Sequence, residues 1–238
     1  MGCLGCHTEI DVRRPGSSPV GGRLGAGARW ADANLPWVVA PNITPDKETG
    51  AGNWTDDMLA RAIREGIGHD GRALFSIMPY QSYRNMSDED LASVVVYIRS
   101  LPSVRNRLPS TQIPFPLSFL INRLPQPVTG SVPVPDQSTP AARGAYLATM
   151  GICSYCHTPQ DKGEPIAGLD FAGGFVFSLP TGVVASANIT PDASGISYYD
   201  EDLFIQTMRE GKVGAPFKRG DALVVLCKDD RRRFEINV

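Results

Sequence analysis

The chain has 238 residues and a formal net charge of −2 at pH 7. This length suits two small domains of about 100 residues each. The nearly neutral charge gives no argument for a nucleic-acid partner or for an anionic membrane surface. No apolar run is long enough to span a bilayer. Length and charge therefore give no support for nucleic-acid binding or for a membrane-spanning segment, and they do not point to a function.

The first element of the chain is Cys3-Leu4-Gly5-Cys6-His7, and its pattern returns as Cys153-Ser154-Tyr155-Cys156-His157. Cys-x-x-Cys-His is the attachment sequence of a c-type haem. Two cysteines on one helical turn can form thioethers with the two vinyl groups of a haem, which places the next histidine under the iron as an axial ligand. The two copies use four of the five cysteines and two of the three histidines. We therefore predict two haem c groups, bound by Cys3, Cys6, His7, Cys153, Cys156 and His157.

The cysteine pairs are open to two other interpretations. A Cys-x-x-Cys pair can be a thioredoxin-like redox centre, and two such pairs can form a four-cysteine zinc site. Neither site requires a histidine directly after the second cysteine, and both copies have one. The pattern therefore favours haem over a dithiol or zinc.

An internal repeat continues beyond each haem motif. A Gly-rich stretch follows at 21–27 in the first copy and at 172–174 in the second. The segment Asn42-Ile43-Thr44-Pro45-Asp46 then returns as Asn188-Ile189-Thr190-Pro191-Asp192. A shared order of motifs indicates two units of similar fold.

Each copy next contains a predicted helix. Thr55 and Asp200 are suitable N-caps, and Gly66 and Gly211 are suitable C-terminal stops. In the first copy, apolar residues at helical spacing predict a face that packs in the core. These residues are Met58, Leu59, Ala62 and Ile63.

Met78-Pro79-Tyr80 follows in the first copy. Since a residue before proline is disfavoured in a helix, Met78 is expected in an extended loop, from which its thioether can point at the iron. A methionine opposite the histidine raises the potential of the haem, suits electron transfer and leaves no open position for substrate. Core packing is the ordinary alternative for a methionine. We predict that Met78 is the sixth ligand of the first iron.

Two other residues could take that ligand position. Met86 directly precedes Ser87, the predicted N-cap of a helix that runs to about Leu101, and is expected to pack against the helix start. His69 lies in a Gly-rich turn and is expected to be solvated.

The composition changes between Pro102 and Pro140, where nine prolines occur with few charges. This pattern predicts an extended linker. Its apolar piece, residues 113–121, is too short to cross a membrane. Packing within the same chain is favoured for it over docking on a partner subunit.

These motifs resemble those of a known family, the multi-haem cytochrome c subunits that accept electrons from membrane-associated dehydrogenases of alcohols, sugars and gluconate. The resemblance covers residues 1–101 and 141–214. It rests on both haem motifs, both Asn-Ile-Thr-Pro-Asp segments, both Arg-Glu-Gly helix ends, Asp70-Gly71-Arg72, Met78-Pro79-Tyr80 and Met86-Ser87-Asp88-Glu89-Asp90-Leu91.

The resemblance implies an all-α fold with two class I cytochrome c-like domains in tandem, residues 1–101 and 141–214, joined by the Pro-rich linker 102–140. It also implies a location on the periplasmic side of a bacterial inner membrane, with a dehydrogenase subunit as electron donor and a downstream electron acceptor. Peripheral association with the membrane is an expectation of the same kind.

The lead-in to the first haem motif differs from the lead-in to the second. Residues 142–148 before Cys153 are helix-like, whereas only Met1-Gly2 precedes Cys3, and no signal peptide pattern is present. We expect that the sequence is truncated at its N-terminus, so that an export signal and a first helix are missing and Met1 corresponds to Met150.

The C-terminal end departs from the repeat. A Met-Pro-aromatic loop should follow Gly211, yet no methionine occurs after Met208. Starting one base into the codon of Asp221, permissible codons encode Met-Pro-Trp-Ser-Phe-Tyr-Ala-Lys-Met-Thr-Asp-Glu-Asp-Leu, which follows the pattern of residues 78–91. We therefore expect a frameshift near residues 214–217 and a non-native tail at 215–238. Cys227 and the basic run 231–233 then carry no functional meaning.

The function predicted from the sequence is a relay of single electrons through two haems, in an electron-transfer subunit rather than an enzyme. His7 and Met78 would ligate the first iron, and His157 the second. The alternative is a di-haem oxidoreductase, peroxidase-like or thiosulfate-oxidising, with one open iron site. The second haem has no assigned sixth ligand, since neither Met208 nor Cys227 is convincing, but the frameshift explains this opening without catalysis.

Overall fold

The structure is a computed structural model that describes residues 2–11, 20–30, 35–161, 163–179 and 182–211. The predictions for Cys227, for the basic run 231–233 and for the tail 215–238 fall outside the described residues. The chain divides into two compact units, Met1–Ile152 and Cys153–Val238. Each unit contains one Cys-x-x-Cys-His motif.

The regular secondary structure of the described residues is mainly helical, with a few short antiparallel strand pairs. The helices are α1 Cys3–Cys6, α2 Asp56–Glu65, α3 Tyr80–Tyr83, α4 Asp88–Arg99, α5 Leu117–Ile121, α6 Pro140–Met150, α7 Cys153–His157 and α8 Glu201–Glu210. The strand pairs are β1 Ala28–Arg29 with β2 Val39–Ala40, β3 Gln160–Asp161 with β4 Glu164–Pro165, and β5 Val176–Leu179 with β6 Gly182–Ala185. The predominance of helix over strand agrees with the predicted fold class, and the strand pairs are an addition to it. Among the described helices none is long and apolar enough to cross a membrane.

Helices α2 and α8 begin and end as their sequences predict. The Thr55 hydroxyl accepts a hydrogen bond from the Met58 N–H, and the Asp200 carboxylate accepts one from the Leu203 N–H. Gly66 and Gly211 end the two helices in the left-handed conformation, at φ 72° and 65°. Side-chain capping satisfies N–H groups that a helix start leaves unpaired, and glycine adopts positive φ without a steric penalty.

The core of the first unit lies between α2 and α4. Leu59 and Ile63 of α2 pack with Leu91 and Val95 of α4, and Met86 is buried among them. The prediction for Met58 is wrong, because this residue turns away from the cluster and is 36% exposed. The apolar face is therefore narrower than the sequence pattern indicates.

The segment after α4 is bonded to the first unit rather than separated from it. The Val104 N–H donates to the Thr44 hydroxyl, and the Thr111 hydroxyl donates to the Val39 carbonyl at 3.0 Å. The Val128 N–H donates to the Glu65 carboxylate further along. Most of its predicted irregular structure is present, but α5 interrupts it.

Helix α6 also packs in the first unit. Met150 is buried in the same core cluster as Ile43 and Ile98. The Tyr146 hydroxyl donates to the Asp90 carboxylate at 2.5 Å and accepts from the Ser87 N–H at 3.2 Å. The compact units divide after α6, at Ile152.

Candidate functional site

The first Cys-x-x-Cys-His motif forms a single helical turn. Cys3 and Cys6 lie at the two ends of α1, and the His7 N–H closes the turn on the Cys3 carbonyl at 2.9 Å. Residues three apart on a helix lie on the same face. Both cysteines are half-buried thiols, and burial raises the pKa of the Cys3 thiol. The turn therefore presents two thiols on one side, directly before a histidine.

The His7 ring is held by the backbone of a distant segment. Its Nδ1 lies 2.8 Å from the Pro41 carbonyl oxygen, which can only accept, so Nδ1 carries the proton. Burial lowers the pKa of His7 and keeps the ring neutral. Nε2 is then the nitrogen with a lone pair, which is the form of histidine that binds a metal.

The second motif repeats this arrangement. Cys153–His157 forms α7, and the His157 Nδ1 lies 2.8 Å from the Ala187 carbonyl oxygen. Pro41 and Ala187 are equivalent positions, because each directly precedes an Asn-Ile-Thr-Pro-Asp segment. Both histidines are thus oriented by the same bond in the two units.

The residues after each histidine are tied down in the same way. The Gly27 N–H donates to the His7 carbonyl at 2.8 Å, and the Gly173 N–H donates to the His157 carbonyl at 2.7 Å. The hydroxyls of Thr8 and Thr158, which follow the two histidines, accept from backbone N–H groups at 3.0 and 3.1 Å. Sequence reasoning did not use these threonines, although the shared Cys-His-Thr sequence was visible in both copies.

The Asn-Ile-Thr-Pro-Asp segments form matching turns. The side-chain oxygen of Asn42 accepts from the Thr44 N–H at 3.0 Å and from its hydroxyl at 2.7 Å. Asn188 makes the same two bonds to Thr190, at 2.8 and 2.7 Å. These turns place the carbonyls of Pro41 and Ala187 against the histidine rings, so the repeated segment positions the ring.

Close packing around the first histidine requires glycine at two places. Gly25 has φ +75°, and a Cβ there would lie 2.9 Å from the Leu101 side chain. Gly27 has φ +83°, and a Cβ there would lie 2.7 Å from the Ala40 carbonyl oxygen. In the second unit Phe171 takes the place of Gly25 at φ 62°, a strained conformation for an aromatic residue.

The predicted sixth ligand lies in the loop between α2 and α3, as expected. Met78 is partly buried and packs against the core cluster of the first unit. Met86 is 1% exposed within that cluster and directly precedes the N-cap Ser87, whose hydroxyl accepts from the Asp90 N–H. Met86 is therefore a core residue, in agreement with the prediction.

Two other candidates lie on the surface. His69 is exposed and stacks on Trp54 with ring centroids 4.3 Å apart. Met208 of α8 is 68% exposed. His69 is therefore solvated as predicted, although Trp54 covers one of its faces.

The first unit has features that a bound haem would complete. A cavity of about 510 Å³ borders Cys3 between α4 and α6, but neither His7 nor Met78 lines it, so it is not assigned to the haem. Buried polar atoms without a protein partner, in the described residues of this unit, are the Tyr80 hydroxyl and the Nε atoms of Arg23 and Arg64. Orphaned donors point to a missing acceptor, and a haem carries two carboxylates. The paired thiols, the neutral histidine and these donors fit haem c.

The zinc alternative requires several metal-binding side chains close together. Within the residues that the structure describes, no group of three or more His, Cys, Asp or Glu side chains is placed to hold a metal ion.

Known proteins similar to this chain are cytochrome c subunits and dehydrogenase subunits. The chain is 32% identical over 228 residues to the cytochrome c subunit of gluconate 2-dehydrogenase from Pantoea cypripedii, which covers 88% of this chain and 48% of that protein. It is 35% identical over 186 residues to a nicotinate dehydrogenase subunit from Pseudomonas putida, which covers 73% of this chain and 14% of that protein.

A third relative is shorter. It is a di-haem c-type cytochrome from Cereibacter sphaeroides, 27% identical over 178 residues, which covers 70% of this chain and 58% of that protein. The chain spans about half the length of this protein and of the gluconate relative, at 58% and 48%. No protein-family model matches the chain.

Proposed function

Since this chain is a homologue of dehydrogenase-associated cytochrome c subunits and therefore of proteins that carry haem c, we propose that it relays single electrons through two covalently bound haems. The electrons would come from a periplasmic dehydrogenase and leave to a respiratory acceptor. Peripheral association with the inner membrane belongs to the same proposal. The haem-binding domains would be residues 1–101 and 141–214.

The proposed roles of the residues follow from their chemistry. Cys3 and Cys6 would form thioethers in the first unit, and Cys153 and Cys156 in the second. Bound haem c supplies a one-electron redox centre. His7 and His157 would each give Nε2 to an iron, and Met78 would give its thioether sulfur to the first.

The observation that carries the proposal is the shared orientation of the two histidines. Each Nδ1 donates to a backbone carbonyl at 2.8 Å, so each ring is fixed in the tautomer that leaves Nε2 available. An outer hydrogen bond of this kind orients a metal-ligating histidine and raises its basicity. Its occurrence in both units supports two haems rather than one.

Haem stoichiometry tests the attachment residues. The chain, produced with haem attachment in the periplasm of a bacterial host, is expected to keep two haems after denaturation. Cys3→Ser/Cys6→Ser should keep one, and the matched variant Cys153→Ser/Cys156→Ser should keep the other. Absence of covalent haem after denaturation would instead support the zinc or dithiol interpretation.

Reduced-minus-oxidised spectra and a redox titration test the relay. We expect Met78→Ala to remove one methionine-ligated, low-spin signal and to lower one potential, because methionine ligation raises it. Met208→Ala is the control, since this methionine is largely exposed and should leave the spectrum unchanged.

The alternative function predicts another result. A di-haem oxidoreductase needs one open iron site, so a high-spin haem that reacts with peroxide, in the chain with its C-terminal reading frame restored, would favour that enzyme. Two low-spin haems that do not react would favour the relay.

A further inference from the structure

The loop that carries Met78 is hydrogen-bonded within itself. It comprises residues 66–79 between α2 and α3, and we call it the methionine loop. The Met78 N–H donates to the Phe75 carbonyl at 3.0 Å, and the Leu74 N–H donates to the Gly66 carbonyl at 2.7 Å. These bonds shape the turns of the loop but do not attach it to the rest of the unit. Contacts at its two ends therefore contribute to its position.

A stretch of the proline-rich segment is bonded at both ends of the methionine loop. This stretch is residues 126–132, and we call it the strap. Glu65, which directly precedes the loop, accepts a hydrogen bond on its carboxylate from the Val128 N–H at 3.2 Å. Arg84, which follows α3, donates from its guanidinium to two carbonyls of the strap. The strap thus joins the end of α2 to the end of α3, and the methionine loop lies between these two points in the chain.

Asp88, the first residue of α4, is the third attachment point of the strap. Its carboxylate accepts from the Ser131 hydroxyl at 2.6 Å and from the Val132 N–H at 3.2 Å. Its own N–H, which the helix start leaves without a partner in α4, donates to the Val132 carbonyl at 3.0 Å. The bonds from the Ser131 hydroxyl and the Arg64 guanidinium lower the pKa of Asp88. The carboxylate is therefore ionised at neutral pH, and its bonds to the strap are charge-assisted.

Arg64 connects the same attachment point to the interior of the unit. This residue is 7% exposed, and its guanidinium lies 2.7 Å from the Asp88 carboxylate. It also donates to the Met86 carbonyl at 2.5 Å. A buried guanidinium that loses its partner is strongly destabilised, so these contacts are maintained together. Arg64 on the inside and the strap on the outside thus fix the chain on both sides of Met78.

We propose that the strap keeps the methionine loop closed on the first haem iron, with Glu65, Arg84 and Asp88 as positioning residues for the methionine ligand. This inference rests on the proposed ligation by Met78 and adds a role for the proline-rich segment. Bonds from outer groups orient the ligands of a metal. A segment opens locally at a free energy that is set by the contacts it breaks. Loss of a strap bond therefore increases the population of molecules with an open loop.

Competition with imidazole measures the opening of the methionine loop in the oxidised, haem-loaded full chain. A thioether bound to ferric haem gives a far-red charge-transfer band, and imidazole binds the iron only where the thioether has left it. The imidazole concentration that halves the band therefore reports on the stability of the closed loop. Met78→Ala must abolish the band. A band that survives this substitution overturns the ligand assignment and this inference with it.

Asp88→Asn and Arg84→Gln each remove a charged group that bonds the strap. Each variant should lower the imidazole concentration that halves the band by about tenfold, which is the usual effect of losing a hydrogen bond to a charged group. The parent and both variants should keep the same haem content, because the attachment cysteines are unchanged.

Two carboxylate variants are the matched controls. Glu89→Gln removes the neighbouring exposed charge in the first turn of α4, and this side chain makes no hydrogen bond to the strap among the described residues. Glu48→Gln breaks the 2.7 Å pair with Arg105, which is another contact between a carboxylate and the proline-rich segment, outside the strap. Both controls should need the same imidazole concentration as the parent.

Two further results would overturn the role of the strap while leaving Met78 as the ligand. The first is the loss of the band in Met78→Ala together with equal imidazole concentrations for Asp88→Asn, Arg84→Gln and the controls. The second is imidazole binding in the strap variants that rises with urea as steeply as tryptophan-detected unfolding does. That dependence would show that imidazole enters by unfolding of the whole unit, since the opening of one loop exposes much less surface.

Discussion

At the scale of single residues, Asn42 determines the geometry of the first candidate site. Its side chain is 3% exposed, and it bonds the backbone and hydroxyl of Thr44 and the Val104 carbonyl. We expect Asn42→Ala to lower the free energy of unfolding of the first unit by about 2–4 kcal/mol, because buried polar groups lose their partners. All three tryptophans lie in that unit, so denaturant unfolding followed by tryptophan fluorescence reports on it alone.

The second unit provides a matched control for this substitution. Asn188→Ala removes the same side chain from the equivalent turn, but Asn188 is only half-buried and lies in the other unit. The tryptophan transition should stay at the denaturant concentration of the parent chain. An equal shift for both variants would show that the Asn42 network is not confined to the first unit.

At the scale of elements, α6 is expected to stabilise the first unit although it leads into the second haem motif. Met150 is 6% exposed in the core of the first unit, and Leu147 on the same helix is 56% exposed. Met150→Ala should therefore cost about 2–4 kcal/mol in the tryptophan-detected transition, as deletion of a buried side chain leaves a cavity.

Leu147→Ala is the control on the same helix. Since this side chain is more than half exposed, its loss should change the free energy of unfolding by less than about 0.5 kcal/mol. If Met150→Ala left the tryptophan transition unmoved, α6 would belong energetically to the second unit, and the described packing would be contradicted.

Helices with local signals were predictable from the sequence, and elements that depend on distant partners were not. The starts of α2, α4 and α8 follow from Thr55, Ser87 and Asp200, because a cap acts within one turn. By contrast, β1 and β2 have two residues each, which is too few to show any periodicity. They are also separated by nine residues in the sequence. Helix α5 lies among prolines and has no periodic pattern of its own.

The same division holds for the candidate site. The cysteines and histidines were recognised from their spacing, whereas the bond from His7 to the Pro41 carbonyl joins residues 34 positions apart. The identity of a residue does not indicate that its backbone carbonyl accepts such a bond, since every residue has a carbonyl. The repeat of the segment that begins at Asn42 indicated a local structure common to both units. Only the structure showed that this segment orients the histidine.

At the scale of the whole molecule, the two units follow one pattern as far as the structure describes them. Equivalent bonds hold the two histidines, the two asparagine turns and the two glycine-ended helices α2 and α8. After Gly66 the first unit continues to Met78, whereas after Gly211 the sequence has no methionine. The repeat therefore breaks within the sequence, directly after a segment whose structure still obeys it.

This break leads to a prediction about the coding DNA of residues 215–238, which lie outside the described residues. We expect that reading one base into the codon of Asp221 yields Met-Pro-Trp, followed by the Met-Thr-Asp-Glu-Asp-Leu that corresponds to residues 86–91 of the first unit. Fourteen consecutive codons can encode both the given residues and, in the shifted frame, the pattern of residues 78–91. Chance alone rarely produces such an agreement. Resequencing the gene on both strands measures this directly.

Restoring that frame should then supply the second unit with a methionine loop and convert its haem to the methionine-ligated, low-spin form. The control is the chain as it stands, whose second haem should lack that signal. A gene sequence that encodes no Met-Pro-Trp in the shifted frame would end the frameshift hypothesis. The second haem would then lack a methionine loop like that of Met78, and the relay proposal would have to account for two unlike haems.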